Sequence, residues 1–125
     1  MPEPATPGQR LEQHQYRYRQ LAAQIAEIGY ITSGTLTHRR TRCSNPNCRC
    51  AADPPRLHGP YWQWTTKING KTVTRRLTTN QAALYAEWIN NNKHLNDIIS
   101  QMRQTATEAT QIILNENQYN TPPKV

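Results

Sequence analysis

Apolar residues recur along the chain with two different periods. From Arg10 to Ile28, Leu11, Tyr18, Leu21, Ile25 and Ile28 fall on one stripe, with His14 at the remaining heptad position. That spacing predicts an amphipathic helix, with Gly29 as its C-cap. Ser33-Gly34 breaks the pattern. Thr35 to Thr41 is β-branched and reads as extended, and Arg42 to Pro60, rich in Pro, Asn and Cys, reads as a loop. Tyr61 to Ile68 and Lys71 to Leu77 are two strand-like runs joined by Asn69-Gly70. An Asn-Gly pair predicts a two-residue hairpin turn, because both positions of a type I′ turn need positive φ. Thr79 is the expected N-cap of a last helix from Asn80 to about Leu114, roughly 50 Å long at 1.5 Å per residue. Its stripe holds Leu84, Trp88, Leu95, Ile98, Met102, Ala109 and Ile112, interrupted by Asn91 and Thr105 and widened by Ile89, Ile99 and Ile113.

These elements make an α+β fold: an N-terminal helix, a small three-stranded antiparallel sheet with a Cys/His loop, and a long C-terminal amphipathic helix. The expected organisation is a disordered N-terminus over 1–9, one α-β-β-β-α domain over 10–114 and a flexible tail over 115–125. The hairpin turn sets the register. Lys71 faces Ile68, Val73 faces Thr66, Arg75 faces Trp64 and Leu77 faces Trp62, so these eight share the face expected to meet a helix. Arg75 is expected over Trp64 as a cation–π pair. The opposite face carries Tyr61, Gln63, Thr65, Lys67, Thr72, Thr74 and Arg76. If Leu36 points to the core, Thr35, Thr37, Arg39 and Thr41 extend that polar face. The last helix is longer than the sheet needs, so its excess must meet the first helix or a second subunit. A homodimer is expected, with Trp88, Leu95, Ile98 and Met102 near the contact.

Composition narrows the class. Only 35% of the 125 residues are hydrophobic and there is no Phe, which argues against one large core. No apolar run reaches membrane-span length, and Met1-Pro2-Glu3-Pro4 has no hydrophobic signal core, so a cytoplasmic location is expected. The net charge of +7 is unevenly placed. Between His38 and Arg76 there are nine basic residues against the single acid Asp53, and the remainder is near neutral. A single-sign field on one module attracts polyanions, because neutralising phosphates releases counterions.

All three cysteines fall within eight residues, in Cys43-Ser44-Asn45-Pro46-Asn47-Cys48-Arg49-Cys50, and His58 follows at the far end of the loop. The pattern C-x4-C-x-C-x7-H offers four ligands for a closed tetrahedral zinc site, and nearby arginines favour the thiolates. A metal would also order a loop with little apolar content. Two alternatives stand beside it: three reduced thiols with an unrelated His, or a catalytic Cys–His pair. No Gly-rich phosphate loop, paired-carboxylate arrangement or nucleophile elbow is present, so no enzymatic activity is expected.

Gly34-Thr35-Leu36, Arg42-Cys43, Pro46, Cys48-Arg49-Cys50-Ala51, His58-Gly59-Pro60-Tyr61, Gly70-Lys71-Thr72 and Arg76 together resemble a prokaryotic family of unknown function, domain-of-unknown-function family 6788. The resemblance runs from about Gly34 to Met102. It implies one domain centred on the Cys/His element and implies no activity. Ser44-Asn45 departs from the family's Gly-Lys after the first Cys, and Thr79-Asn80-Gln81 from its Thr-Pro-Glu at the helix start. The strand–hairpin–helix order also resembles the three-stranded DNA-binding arms of phage-type integrases, in layout alone.

The leading expectation is a nucleic-acid-binding protein, DNA before RNA, accessory or regulatory to a mobile element. Arg39, Arg40, Arg42, Arg49 and Lys71 would meet phosphates, and Gln63, Thr65, Lys67, Thr74 and Arg76 would meet bases or the groove. The alternative is a coiled-coil protein–protein adaptor in which the Cys/His loop is a structural staple.

Overall fold

A computed structural model of the chain describes residues 3–117. The element order is α1 (Pro7–Ile25), β1 (Thr35–Thr41), a short 3-10 turn (Arg49–Ala51), β2 (His58–Ile68), β3 (Lys71–Leu77) and α2 (Thr79–Asn117). The fold is therefore α+β, with a three-stranded antiparallel sheet in the order β1-β2-β3. The chain divides into two compact units, one formed by Gly29–Asn92 and the other by Met1–Ile28 with Lys93–Val125. No helix among the described residues is long and apolar enough to cross a membrane.

Both helices start where a T-x-x-Q box places them. Thr6 accepts from the Gln9 backbone N–H at 3.1 Å, and the Gln9 side chain accepts from the Thr6 backbone N–H at 2.9 Å. This capping box, with Pro7 at the first helical position, starts α1 three residues earlier than Arg10, so Pro7 to Gln9 are helical rather than disordered. Thr78 and Gln81 form the same reciprocal pair at α2, so Thr78 is the cap and Thr79 already lies inside the helix. Gly29 caps nothing: α1 ends at Ile25 with Ala26 as C-cap. At the other end α2 runs on through Asn115–Asn117, the start of the expected tail; the rest of that tail, and Met1 and Pro2, lie outside the described residues.

The turn between β2 and β3 has Asn69 at φ 51° and Gly70 at φ 79°, as a type I′ turn requires. The expected register follows: Ile68 pairs with Lys71, Thr66 with Val73, Trp64 with Arg75 and Trp62 with Leu77. Pairing of β1 with β2 sets Leu36 opposite Trp64 and His38 opposite Trp62, and leaves Thr35, Thr37 and Arg39 on the polar face with Thr65, Gln63 and Tyr61.

In the sheet-containing unit the core is aromatic. Trp64 meets Tyr85 of α2 edge-on at 5.1 Å, Tyr85 meets Trp88 at 5.2 Å, and Trp88 meets Tyr30 at 5.7 Å. Ala82 and Ile89 are buried on the same stretch of α2. The Trp64 indole N–H donates to the Ser33 carbonyl at 2.9 Å, so the polar atom of this buried ring is satisfied. Gly34 lies just beside it at φ +110°, and a Cβ there would fall 2.6 Å from both the Thr65 carbonyl and the Trp64 indole nitrogen. Asn91, a polar break in the stripe, donates to the Tyr30 carbonyl at 2.8 Å.

In the helical unit α1 lies beside the C-terminal part of α2. Leu21, Ile98 and Ile112 are buried, and Thr105 is only 3% exposed, its hydroxyl returned to the Gln101 carbonyl at 2.9 Å. His14 reaches Glu108 at 3.2 Å and Arg17 donates to Gln101 at 3.3 Å. Ile98, at 1% exposure, and Trp88, held between two tyrosines, are thus used within the chain.

Trp64 joins sheet, loop and helix. Trp64→Ala should lower the unfolding free energy by about 3–5 kcal/mol, read as a shifted urea midpoint with an unchanged slope.

Candidate metal centre

The four residues of the C-x4-C-x-C-x7-H pattern converge. One ligand atom from each of Cys43, Cys48, Cys50 and His58 lies within 4.8 Å of all the others. Cys43 follows the end of β1, Cys48 and Cys50 bracket the start of the 3-10 turn, and His58 is the first residue of β2. Thr41 pairs with His58 across the sheet, so the two ends of the loop are held together by strand pairing. Between them the chain folds by short-range bonds. The Asn47 N–H donates to the Asn45 side chain at 2.9 Å, Cys48 N–H to the Asn45 carbonyl at 3.2 Å, and Arg56 N–H to the Arg49 carbonyl at 3.1 Å.

The distances suit a metal ion. Sγ of Cys43 and Cys50 are 3.5 Å apart, and Cys48 Sγ is 3.1 Å from His58 Nε2. A tetrahedral ion with metal–sulfur bonds near 2.3 Å needs sulfur–sulfur edges of about 3.8 Å, so small adjustments would seat one. The Cys43 backbone N–H donates to Cys50 Sγ at 3.3 Å, a contact that stabilises a thiolate. Cys50 is 1% exposed, Cys48 and His58 are half-buried and Cys43 is exposed. A closed site with one accessible side is the result.

The thiols differ in acidity. Cys48 is pulled down to about 6, first by the Cys50 backbone N–H, then by the Cys43 thiol, with His58 contributing as well. It is thus largely thiolate at neutral pH, ready to ligate. The Asn45 backbone N–H pulls the Cys43 thiol down, but the Cys50 and Cys48 sulfurs outweigh it and hold Cys43 above the ordinary thiol range. The Cys50 N–H and the neighbouring thiols, rather than the arginines, stabilise the Cys48 thiolate.

The residues expected to meet nucleic acid separate into groups. Arg39, Arg40, Arg42, Gln63 and Arg76 line one open depression of about 650 Å3, together with Thr41 and Leu57. Thr65, Thr74 and Lys67 continue the same face toward the hairpin tip, where Thr65 and Thr74 share a hydroxyl contact at 3.3 Å. Lys71 pairs with Ile68 and so belongs to the opposite face. Arg49 is exposed on the 3-10 turn between Cys48 and Cys50 and is not among the residues lining the depression. The cation–π pair also differs from expectation. It joins Arg76 to Tyr61 on the polar face, with the guanidinium carbon 3.8 Å from the ring centre. The hairpin register contained this signal, since Tyr61 is the diagonal neighbour of Arg76. On the other face His38 stacks on Trp62 at 4.1 Å and 6° between planes, a pairing that needed the β1 register.

A family model described as a domain of unknown function, DUF6788, matches residues 11–86. No curated protein and no solved structure matches the chain.

The purified chain should retain about one tightly bound divalent metal ion per molecule. Cys48→Ser and Cys50→Ser should each lose it, and the melting temperature should fall with it. Elemental analysis alongside thermal melts checks this, and metal-free protein that melts unchanged would exclude the site.

Proposed function

The chain belongs to the DUF6788 family, and we propose that it is a nucleic-acid-binding protein, acting on DNA in preference to RNA, whose basic sheet is braced by a zinc ion. The observation that carries this reading is the open polar face of the sheet. Its border is the arginine-lined depression, and α2 meets the sheet through Trp64 on the opposite face. Three thiolates and one imidazole favour zinc over harder cations. Cys43, Cys48, Cys50 and His58 would hold it; when bound it supplies structural cross-linking of the loop.

The chain's own residues supply the contacts. Arg39, Arg40 and Arg42 are exposed, and among the described residues none of them is paired with a carboxylate. They would neutralise backbone phosphates, which positions a protein without reading sequence. Gln63, Thr65, Lys67 and Thr74 project from the same face. A twisted sheet of this width enters a major groove about 12 Å wide and offers amide, hydroxyl and ammonium groups to base edges. An accessory or regulatory role for a mobile element is consistent with such a module.

A second reading, a helix-mediated adaptor or homodimer, draws on Ile113 and Leu114, which are 44% and 57% exposed near the end of α2. In that reading the contact uses these residues, because Ile98 is already buried within the chain.

Fluorescence-anisotropy titrations against duplex and single-stranded fragments at several salt concentrations test the first reading. Arg39→Ala and Arg40→Ala should weaken binding to all sequences alike and flatten the salt dependence by roughly one unit of slope per lost phosphate contact. Gln63→Ala should cost about 1–3 kcal/mol at a preferred site and little elsewhere. Absence of binding at low salt would reject the reading. For the second, light scattering at tens of micromolar should give twice the chain mass, falling to one chain mass in Ile113→Glu.

A further inference from the structure

Four guanidinium groups surround the depression beside the metal loop. Regular alternation along β1 would send Arg39 and Arg40 to opposite faces. The register shifts between Arg39 and Thr41, where three steps of β2 oppose two of β1. Such an irregularity bends the strand and re-aims side chains, and Arg39, Arg40 and Arg42 all line the same hollow. Gly59 makes the bend: its φ is +101°, and a Cβ would fall 2.8 Å from the Tyr61 nitrogen and 3.2 Å from the Arg39 carbonyl.

Arg76 reaches the hollow from the other side. Its guanidinium carbon sits 3.8 Å from the centre of the Tyr61 ring. A cation–π contact takes up none of the guanidinium N–H donors, and a guanidinium fork suits a phosphate oxygen pair. Gln63, directly opposite Arg76 in the register and half-buried, lines the hollow at its border with the groove-facing part of the sheet. Among the described residues no carboxylate neutralises these arginines. Like charges gathered this way favour an anion between them.

We propose that this depression is a binding site for a phosphate group, with Arg76, fixed on Tyr61, as its oriented donor and Arg39, Arg40 and Arg42 as its neutralising wall. The proposal deepens the nucleic-acid reading and rests on it for the identity of the natural ligand. It makes Arg76 a sequence-independent anchor, in place of the base-reading role expected from its position on the polar face. The group bound is either an internal phosphodiester or a terminal phosphomonoester. Two walls of the hollow adjoin metal ligands: Arg42 precedes Cys43 and Leu57 precedes His58. The metal-loaded chain is therefore the form to test.

Inorganic phosphate, titrated into the metal-loaded protein at constant ionic strength, should shift the amide and arginine side-chain NMR signals of Arg39, Arg40, Gln63 and Arg76 saturably. Arg76→Ala and Tyr61→Leu should weaken this by about tenfold or more, the loss expected for charge-assisted hydrogen bonds. Arg76→Lys should recover only part of it. Arg75→Ala, one residue away on the opposite face, should bind as the parent does. One single-stranded oligonucleotide, with and without a 5′-phosphate, separates the two sources. A several-fold gain from the 5′-phosphate that depends on Arg76 assigns a terminal group. Equal affinities that both fall in Arg76→Ala assign the backbone. Phosphate binding without oligonucleotide binding would support the pocket and reject the nucleic-acid reading. Oligonucleotide binding that ignores Arg76, with no phosphate shifts, would overturn the pocket and leave that reading standing. Equal losses in Arg75→Ala and Arg76→Ala would also overturn it.

Discussion

The two-residue turn at Asn69-Gly70 is the constraint on which the sheet depends. Both residues take positive φ, which Asn tolerates and Gly accepts freely. With the loop length fixed at two, the pairing of β2 with β3 has one register. Side chains alternate along a strand, so a slip by one residue would exchange the two faces. Trp64 would leave the aromatic core and Gln63 would enter it. The division between a face that meets a helix and a face that stays polar thus traces back to one dipeptide.

The Cys3His cluster, the candidate metal site, has a different origin. Three ligands lie close in sequence, but the fourth is distant, and what brings it in is the pairing of Thr41 with His58 at the sheet's end. Placing His58 on a strand rather than in the loop gives the site a rigid wall. The loop itself contributes mainly local hydrogen bonds and a single buried sulfur, Cys50. Metal binding free energy would then be folding free energy for this segment. It would also be felt at Arg42 and Leu57, each one bond away from a ligand.

Much of this was legible in the sequence because the signals are local. The hairpin register, the three strands, both helices and the Cys3His cluster follow from turn chemistry, periodicity and spacing. What escaped came from two sources. The T-x-x-Q boxes at Thr6 and Thr78 start the helices three residues and one residue before the positions that hydrophobic periodicity gives. The remaining differences are tertiary. Arg75 was expected on Trp64, yet Trp64 is taken by Tyr85 and the cation–π pair forms between Arg76 and Tyr61. The meeting of Arg39 and Arg40 in one hollow depends on a register shift that no periodicity announces. The first helix and the long helix share a stripe pattern, and periodicity alone leaves open that Ile98 and Thr105 are buried within the chain.

The strand order carries one more consequence. With β2 in the centre, β1 and β3 are both edges, and a bare edge is a template for another chain to add to. Here one edge strand carries Arg39 and Arg40 and the other Lys71, Arg75 and Arg76, all exposed. A second sheet approaching side by side would press cation against cation along either margin. Such charges disfavour edge-to-edge growth of an open three-stranded sheet, and a polyanion lying along that margin would lift the repulsion while covering it.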